Sequence, residues 1–262
     1  MTVKEALQLA ERELAAAGVD TPRVDAELLV AHALGLSRSQ IYVDTKRQVP
    51  DTFQVLLERR RQRVPLAYVL GDWGFRRLTL KTDARALVPR PETEVVVERA
   101  LALIADLPEP RVLDVGTGTG AIAFAIADEH PGARVTAVDT SPNAIDLAHE
   151  NAARLGLDVE LRLGGIDAAA EGWDLVVANP PYIPQATLTT LPPELGWEPR
   201  EALVDVGLHD QIAREAKTRY LVFEVGYGQA PAVAKTLEEL GYADVTITRD
   251  LAGKERVVEG RR

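Results

Sequence analysis

After Pro110, short apolar segments alternate along the chain with segments of helical pattern. The predicted strands cover residues 111–115, 134–139, 158–163, 174–178, 220–225, 244–248 and 256–258. The predicted helices cover residues 121–129, 142–155 and 229–240, and no helix separates the last two strands. This alternation predicts an α/β fold with a mainly parallel, seven-stranded sheet, which is covered on both faces and ends in an antiparallel part. Ligands bind such sheets at the carboxyl ends of the strands.

The chain before residue 71 has a different pattern, which predicts helices. One helix begins at Thr21-Pro22 and is closed by Gly35, and another begins at Pro50-Asp51. Residues 71–90 contain two short alternating runs that are typical of a hairpin, and a helix follows from about Glu92 to Ala105. We therefore expect a helical domain over 1–70, a hairpin linker over 71–90 and an α/β domain over 91–262.

A glycine-rich turn, Gly116-Thr117-Gly118-Thr119-Gly120, follows the first predicted strand and opens a helix. Its glycines allow the backbone to turn sharply and to approach a ligand closely. Asp139 ends the next strand, 19 residues after Gly120, where a carboxylate can accept both hydroxyls of a ribose. Together these features fit either a dinucleotide or an adenosine-containing methyl donor.

The spacing of the glycines distinguishes these two ligands. Dinucleotide-binding turns usually have the spacing Gly-x-Gly-x-x-Gly, which brings pyrophosphate to the helix N-terminus. Here the spacing is Gly-x-Gly-x-Gly, and Asp114 lies two residues before the first glycine. A carboxylate at that position would repel pyrophosphate but suits the sulfonium and ammonium groups of S-adenosylmethionine. The expected cofactor is therefore S-adenosylmethionine.

The strand at 174–178 leads into a second candidate loop, Asn179-Pro180-Pro181-Tyr182. Two prolines fix its backbone and leave carbonyls without competing N–H groups. The side-chain oxygen of Asn179 and a loop carbonyl can then accept both hydrogens of a planar –NH2 group, while Tyr182 lies against its plane. Holding these hydrogens aims a poorly nucleophilic nitrogen at a methyl group. The loop predicts methylation of an amide or of an aromatic amine.

Composition limits the remaining possibilities. The chain has no cysteine, and its four histidines are scattered, so we expect no metal site. No apolar run is long enough for a membrane span, and the acidic N-terminal stretch resembles no targeting peptide, which favours the cytoplasm. The net charge of −10 argues against a nucleic-acid partner. Residues 55–90, with nine basic and three acidic residues, are the exception, and a solvated helix face is favoured there over a docking surface.

Beyond these loops, three further motifs carry a family resemblance. The first is Leu87-Val88-Pro89-Arg90-Pro91-Glu92-Thr93-Glu94, the second is Glu198-Pro199-Arg200-Glu201-Ala202-Leu203, and the third is the segment 250–258. Over nearly its whole length the sequence resembles the release factor glutamine methyltransferases of the PrmC/HemK type. The resemblance implies a Rossmann-like class I S-adenosylmethionine-dependent methyltransferase with a small N-terminal domain that helps to grip the substrate protein. It implies methyl transfer to the glutamine amide in the Gly-Gly-Gln loop of peptide chain release factors, and hence a role in translation termination.

The resemblance also implies roles for particular residues. The cofactor contacts are expected from Gly116, Thr117, Gly118, Thr119, Gly120, Asp139, Ile166, Asp167 and Asn179. Asn179, Pro180 and Tyr182 are the expected catalytic residues, and the expected substrate contacts are Asn179, Pro180, Pro181 and Tyr182, with Arg90 and Glu92 at the mouth of the site. A structural interpretation of Arg90 and Glu92, as part of a helix start, is equally good.

One departure from the family pattern concerns the cofactor. The strand ending near Leu163 normally leads into Gly-Asp and a large side chain, which receive the adenine. Here the sequence is Gly164-Gly165-Ile166-Asp167, so the acidic contact is missing or displaced to Asp167.

Three other functions remain open from the sequence. A flipped adenine offers the same kind of nitrogen, so an adenine-amino methyltransferase of DNA or RNA is one alternative, although the acidic charge is unfavourable for it. A glutamine methyltransferase of a ribosomal protein is a second. A binding protein that keeps the cofactor pocket without turnover is the third, and the intact Asn-Pro-Pro-Tyr loop argues against it.

Overall fold

The computed structural model describes residues 1–262, except for the side chain of Thr189. The chain divides into two compact units. Unit 1 comprises Met1–Asp72 and the segment Pro192–Trp197, and unit 2 comprises Trp73–Leu191 and Glu198–Arg262. The chain thus leaves unit 2 at residue 192 and returns to it at residue 198.

Unit 1 is helical. Its α-helices are α1 (Val3–Ala16), α2 (Pro22–Leu34), α3 (Thr52–Arg61) and α4 (Leu66–Leu70). A capping box starts α1, because the hydroxyl of Thr2 accepts from the Glu5 N–H and the Glu5 carboxylate accepts from the Thr2 N–H. Helix α2 begins at the predicted proline and ends before Gly35, which has the left-handed conformation (φ 64°) that glycine adopts without strain.

Of the four arginines between residues 59 and 63, Arg60 and Arg63 make internal contacts within unit 1, whereas Arg59 and Arg61 are exposed. The buried Arg60 guanidinium contacts carboxylate oxygens of Asp25 and Glu194 at 2.7 and 2.8 Å. Arg63 donates two hydrogen bonds of 2.6 Å to the same Glu194 and further ones to the carbonyls of residues 17 and 18. The prediction of a solvated face is wrong for these two side chains, because their acidic partners lie far away in the sequence.

A hairpin formed by β1 (Asp72–Phe75) and β2 (Leu78–Lys81) follows unit 1. Its apolar side chains Phe75, Leu78 and Leu80 are buried in the core of unit 2. The segment predicted as a linker therefore contributes directly to the packing of that unit.

Unit 2 contains a seven-stranded sheet. Its strands are β3 (Arg111–Val115), β4 (Arg134–Asp139), β5 (Glu160–Leu163), β6 (Trp173–Ala178), β7 (Thr218–Glu224), β8 (Ala243–Arg249) and β9 (Glu255–Arg261). Their order is β5-β4-β3-β6-β7-β9-β8, and β9 runs antiparallel to both of its neighbours while the first five strands are parallel. The predicted mainly parallel sheet with an antiparallel end is confirmed.

Helices cover both faces of this sheet, and they are α5 (Thr93–Ile104), α6 (Ala121–Glu129), α7 (Pro142–Leu155), α8 (Leu208–Glu215) and α9 (Ala230–Glu239). Successive strand residues enter different cores, since Val112 packs with the cluster that includes α5 and α6 and Leu113 packs with the cluster that includes α8 and α9. Burial on both faces explains the continuous apolar runs of the strands. The sequence did not predict α8, because this eight-residue helix buries only His209, Ile212 and Ala213.

Gly120, the residue directly before helix α6, is tightly packed. Gly120 has φ 86°, and a Cβ atom at this position would lie 2.0 Å from the ring of Phe124, which is fully buried. Gly116 has a similar φ of 77° but has nothing within 4 Å of its Cβ position. The two glycines of the same turn therefore have different reasons to lack a side chain.

We expect Glu194→Ala to lower the free energy of unfolding by about 1–3 kcal/mol, because two largely buried guanidinium groups lose their carboxylate. Urea denaturation measures this loss. The control is Glu58→Ala, which removes an exposed pair with Arg61 and should change stability by less than about 0.5 kcal/mol. Equal effects of the two substitutions would contradict the structural role of Glu194.

Gly120→Ala should lower the free energy of unfolding by about 2–4 kcal/mol, because a left-handed backbone and a steric conflict with Phe124 add together. Gly116→Ala meets only the backbone penalty and should cost about 1–2 kcal/mol. Thermal or urea unfolding of both variants provides the comparison. A smaller loss for Gly120→Ala than for Gly116→Ala would show that the contact with Phe124 is not limiting.

Candidate active site

The carboxyl ends of the central strands bring the predicted loops to one edge of the sheet. In the register of β3, Val115 lies beside Val138 on one side and Ala178 on the other. Ala178 in turn lies beside Phe223 of β7. The residues that come next along these strands, at positions 116, 139, 179 and 224, therefore share this edge.

Asp139 holds the glycine turn in place. One carboxylate oxygen accepts from the N–H of Gly118 and the other from the N–H of Ser141, each at 2.9 Å. The side chain is half-buried, and each oxygen has a second lone pair for a hydroxyl donor. This geometry suits the expected contact with a ribose.

Asp114 lies beneath the same turn and is fully buried. One of its oxygens accepts from the Thr117 hydroxyl at 2.6 Å, whereas the other has no hydrogen-bond partner among the described residues. Burial raises the pKa of Asp114 to about 7, although the Thr117 hydroxyl and the backbone N–H of Ala123 act in the opposite direction. An unpartnered buried acceptor of this kind fits a nearby cationic ligand group.

The five residues of the turn differ in what they contribute. Gly116 is exposed and open, and Gly118 is half-buried with φ 56°. Thr117 and Thr119 are buried, and the Thr119 carbonyl accepts from the side chain of Asn151 at 3.0 Å. Gly120 packs against the ring of Phe124 in α6. Among the predicted cofactor residues of the turn, Gly116 and Gly118 have the most accessible backbone.

Ile166 and Asp167 follow β5 at the start of a 3-10 helix, Ile166–Glu171. The loop before them is bound to β4, since the N–H of Gly164 donates to the carbonyl of Asp139 at 3.0 Å. The exposed Asp167 folds back so that a carboxylate oxygen lies 3.4 Å from the Cβ position of Gly165. Ile166 packs partly against the core. Both residues thus follow a loop that is hydrogen-bonded to Asp139, and the adenine contact expected from them remains a prediction.

The Asn179-Pro180-Pro181-Tyr182 loop has unused acceptors. The side-chain nitrogen of the half-buried Asn179 donates to the hydroxyl of Thr93 at 3.2 Å. In the hydrogen bonds that the structure describes, none ends on Asn179 Oδ1 or on the backbone carbonyls of Asn179, Pro180 and Pro181. The carbonyl of Tyr182, by contrast, accepts from the Gln229 side chain at 3.0 Å.

Tyr182 is packed rather than free. Its hydroxyl donates to Glu224 at 3.2 Å, and its ring lies close to Gly226, where a Cβ atom would be 2.9 Å from Cδ2. Burial and the negative charge of Glu224 raise the pKa of Tyr182, so the phenol keeps its proton at physiological pH.

Glu224 and Thr93 belong to the site although the sequence did not predict them as site residues. Glu224 ends β7, is buried, and accepts from the Thr93 hydroxyl at 2.6 Å. Burial raises the pKa of Glu224 to about 7 against the opposing effects of its two hydroxyl donors and of Arg256. The sequence contains one signal for Glu224, since it is a charged residue at the end of an apolar strand. Its partner Thr93, at the start of α5, could not be inferred from that signal.

Arg90 and Glu92 have different surroundings. Arg90 forms an ion pair with the buried Glu198, whose second oxygen accepts from the N–H of Val88 at 2.9 Å. This carboxylate joins the motif 87–94 to the motif 198–203. Glu92 precedes α5, is half-buried, and contributes negative charge near Glu224. The substrate contacts predicted for Arg90 and Glu92 remain predictions.

Two further properties of the described part of the chain concern membranes and metal ions. None of its helices combines the length and the apolar character that a membrane span requires. No group of three or more histidine, aspartate or glutamate side chains in this part is arranged to hold a metal ion.

Known proteins resemble this chain in fold and in sequence. The family model "PrmC N-terminal domain" matches residues 5–71, and "Methyltransferase small domain" matches residues 97–207. Among solved structures, the hMettl16 catalytic domain in complex with the MAT2A 3′UTR hairpin 6 is 15% identical with a TM-score of 0.58, covering 80% of this chain and 82% of that one. At this identity the likeness concerns the fold alone, and the predicted methyltransferase fold is confirmed.

Curated relatives match over the full length. The release factor glutamine methyltransferase of Deinococcus radiodurans is 41% identical over 282 aligned positions, covering 100% of this chain and 99% of the relative. The protein of the same name from Vibrio cholerae is 38% identical, covering 100% and 97%. The chain therefore belongs to the release factor glutamine methyltransferase family.

Proposed function

We propose that this chain transfers a methyl group from S-adenosylmethionine to the side-chain amide nitrogen of the glutamine in the Gly-Gly-Gln motif of peptide chain release factors. The observation that carries the proposal is that Asn179 Oδ1 and the loop carbonyls, of which we choose that of Pro180 as its partner, accept no described hydrogen bond. They stand at the sheet edge that also holds the glycine turn and Asp139. A primary amide presents two N–H donors, which is the complement of such a pair.

S-adenosylmethionine is the methyl donor, and when bound it supplies an electrophilic methyl group on a positively charged sulfur. On the protein side, Asp139 offers acceptors for the ribose hydroxyls, and the open backbone at Gly116 and Gly118 permits close approach. The unpartnered oxygen of Asp114 provides negative charge for the cationic end of the cofactor. We assign Ile166 and Asp167 to the adenine side of the site.

Asn179 and the Pro180 carbonyl act on the substrate nitrogen. The lone pair of an amide nitrogen is delocalised, so the nitrogen is a poor nucleophile. Fixing both of its hydrogens orients the nitrogen and favours pyramidalisation as the new bond forms, which lowers the barrier through positioning and charge stabilisation. Tyr182 supports the planar group from the side, and its neutral phenol adds no charge there. No strong base is needed, because the proton can leave once the nitrogen has become cationic.

The substrate assignment has a cellular consequence. Release factors act during translation, so we place the reaction in the cytoplasm and assign the N-terminal domain a part in gripping the protein substrate.

A ribosomal protein glutamine presents the same amide, and a flipped adenine presents the same kind of nitrogen, so both belong in any test. The net charge of −10 favours a protein over a nucleic acid.

Labelled S-adenosylmethionine should transfer its methyl group to a purified release factor when the two are mixed with this protein. The label should disappear when the glutamine of the Gly-Gly-Gln motif is replaced. A ribosomal protein fraction and duplex DNA, tested separately, should stay unlabelled. Label on DNA alone, or on a ribosomal protein but not on the release factor, would refute the proposed substrate.

Asn179→Ala should lower kcat for the release factor by about 100-fold or more, since it removes an acceptor that holds the reacting nitrogen. Calorimetry should show cofactor affinity within a few-fold of wild type. The matched control is Asn143→Ala, an exposed asparagine of α7 that should leave both quantities unchanged. If Asn179→Ala no longer binds cofactor, Asn179 belongs chiefly to the cofactor site.

A further inference from the structure

Glu224 is a buried carboxylate that the proposed chemistry does not use directly. Its side chain is 1% exposed and lies at the end of β7, behind the Asn179–Tyr182 loop. One oxygen accepts from the hydroxyl of Thr93 at 2.6 Å, and the other accepts from the hydroxyl of Tyr182 at 3.2 Å. A buried carboxylate costs free energy unless it is hydrogen-bonded. Here one donor, Tyr182, belongs to the Asn179–Tyr182 loop, and the other, Thr93, is hydrogen-bonded to Asn179 of that loop.

The hydroxyl of Thr93 transmits the effect of Glu224 to Asn179. A hydroxyl has one proton to donate, and an ionised carboxylate can only accept. Thr93 therefore donates to Glu224 and must accept from its other neighbour, which lies 3.2 Å away. The group of Asn179 that faces Thr93 must then be its NH2 group rather than its oxygen. These two hydrogen bonds, from Thr93 to Glu224 and from Asn179 to Thr93, fix one of the two orientations of the Asn179 amide. They leave Oδ1 available on the opposite side.

The same carboxylate fixes the other end of the loop. Tyr182 donates to it through the phenol, while the backbone carbonyl of Tyr182 is held by Gln229, whose Oε1 accepts from the N–H of Gly226 at 2.9 Å. The first and last residues of the loop are thus both anchored, one through Thr93 and the other directly.

We propose that Glu224 is a positioning residue for methyl transfer, which acts through Thr93 to hold the Asn179 amide with Oδ1 toward the substrate and through the phenol to hold Tyr182. The proposal rests on the function proposed above only for the identity of the substrate. The hydrogen bonds themselves are properties of the protein without substrate.

The ionisation of Glu224 matters for this arrangement. A protonated carboxyl would donate its own proton to one of the two hydroxyls, and a Thr93 hydroxyl released in this way could donate to Asn179 Oδ1 and favour the wrong amide orientation. The charged and titratable groups around Glu224 are Glu92 before α5, Tyr182, Arg256 on β9, and His209 of α8, which bonds the backbone carbonyl of Glu224 at 2.7 Å. Burial raises the pKa of Glu224 to about 7, so the arrangement should assemble as the pH rises through neutrality.

Kinetics of four variants with a purified release factor test the proposal. Thr93→Val should lower kcat by about 10- to 100-fold with KM changed less than about twofold, because the reacting groups are misplaced rather than lost. Thr93→Ser keeps the hydroxyl and should restore most of kcat. Glu224→Gln should lower kcat similarly and abolish a rise of kcat between pH 6 and 8 that wild type displays. The control, Thr136→Val, breaks a part-buried hydrogen bond from a buried threonine of β4 to the exposed Glu160 of β5, away from the candidate site, and should behave as wild type.

A second measurement needs no substrate. In a ¹⁵N spectrum of the protein, the side-chain NH2 signals of Asn179, assigned by their loss in Asn179→Ala, should shift in Thr93→Val and in Glu224→Gln but not in Thr136→Val. They should also titrate with pH in wild type and not in Glu224→Gln.

The two measurements separate this proposal from the proposed function. If wild type methylates the release factor but Thr93→Val and Glu224→Gln keep wild-type kcat, the positioning role is wrong and the function stands. If wild type does not methylate the release factor, the function is wrong, and the NH2 signals decide the positioning role by themselves. Unchanged Asn179 signals in both variants would overturn it.

Discussion

Burial of the parallel strands on both faces is the constraint on which the rest of unit 2 depends. Residues of β3, β6 and β7 alternate between two apolar cores, so polar side chains have little place along these strands before their carboxyl ends. The polar groups near the carboxyl ends of the central strands are Asp114, next to last in β3, Asp139 at the end of β4, Asn179 directly after β6, and Glu224 at the end of β7. Because neighbouring parallel strands end at the same edge, this burial assembles the candidate site without any contact specific to a ligand.

The same burial sets the electrostatics of the edge, with different results for two carboxyl groups. It raises the pKa of both Asp114 and Glu224 to about 7. Glu224 has both oxygens engaged by hydroxyl donors, which is the basis of the positioning role proposed for it. Asp114 has one oxygen without a hydrogen-bond partner among the described residues, and this is the oxygen that the proposed function directs toward the cationic end of the cofactor. Hydrogen bonding, rather than burial, therefore distinguishes the two carboxyl groups.

The sequence predicts those parts of the fold that depend on local pattern. The strands and most helices follow from periodicity, and the glycine turn and the loop 179–182 follow from short motifs at the ends of strands. Helix α8 gave too few apolar positions to be recognised. The contacts that the sequence could not predict join residues that are far apart, since Thr93 and Glu224 are separated by 131 positions, as are Arg63 and Glu194. Nothing in a local pattern reveals such partners, which is why the pattern alone favours a solvated face for Arg63.

These distant contacts give a physical reason for the composition of the motif 87–94. Arg90 pairs with Glu198, Thr93 donates to Glu224, and the carboxylate of Glu94 accepts from the N–H of Arg76 in the hairpin at 3.0 Å. Each of these side chains bonds to a different part of unit 2, so a substitution at any one of them would release a different neighbour. The two interpretations of the segment, a helix start and a part of the active site, are therefore compatible. The first residue of the helix, Thr93, is also the residue whose hydroxyl accepts from the Asn179 amide.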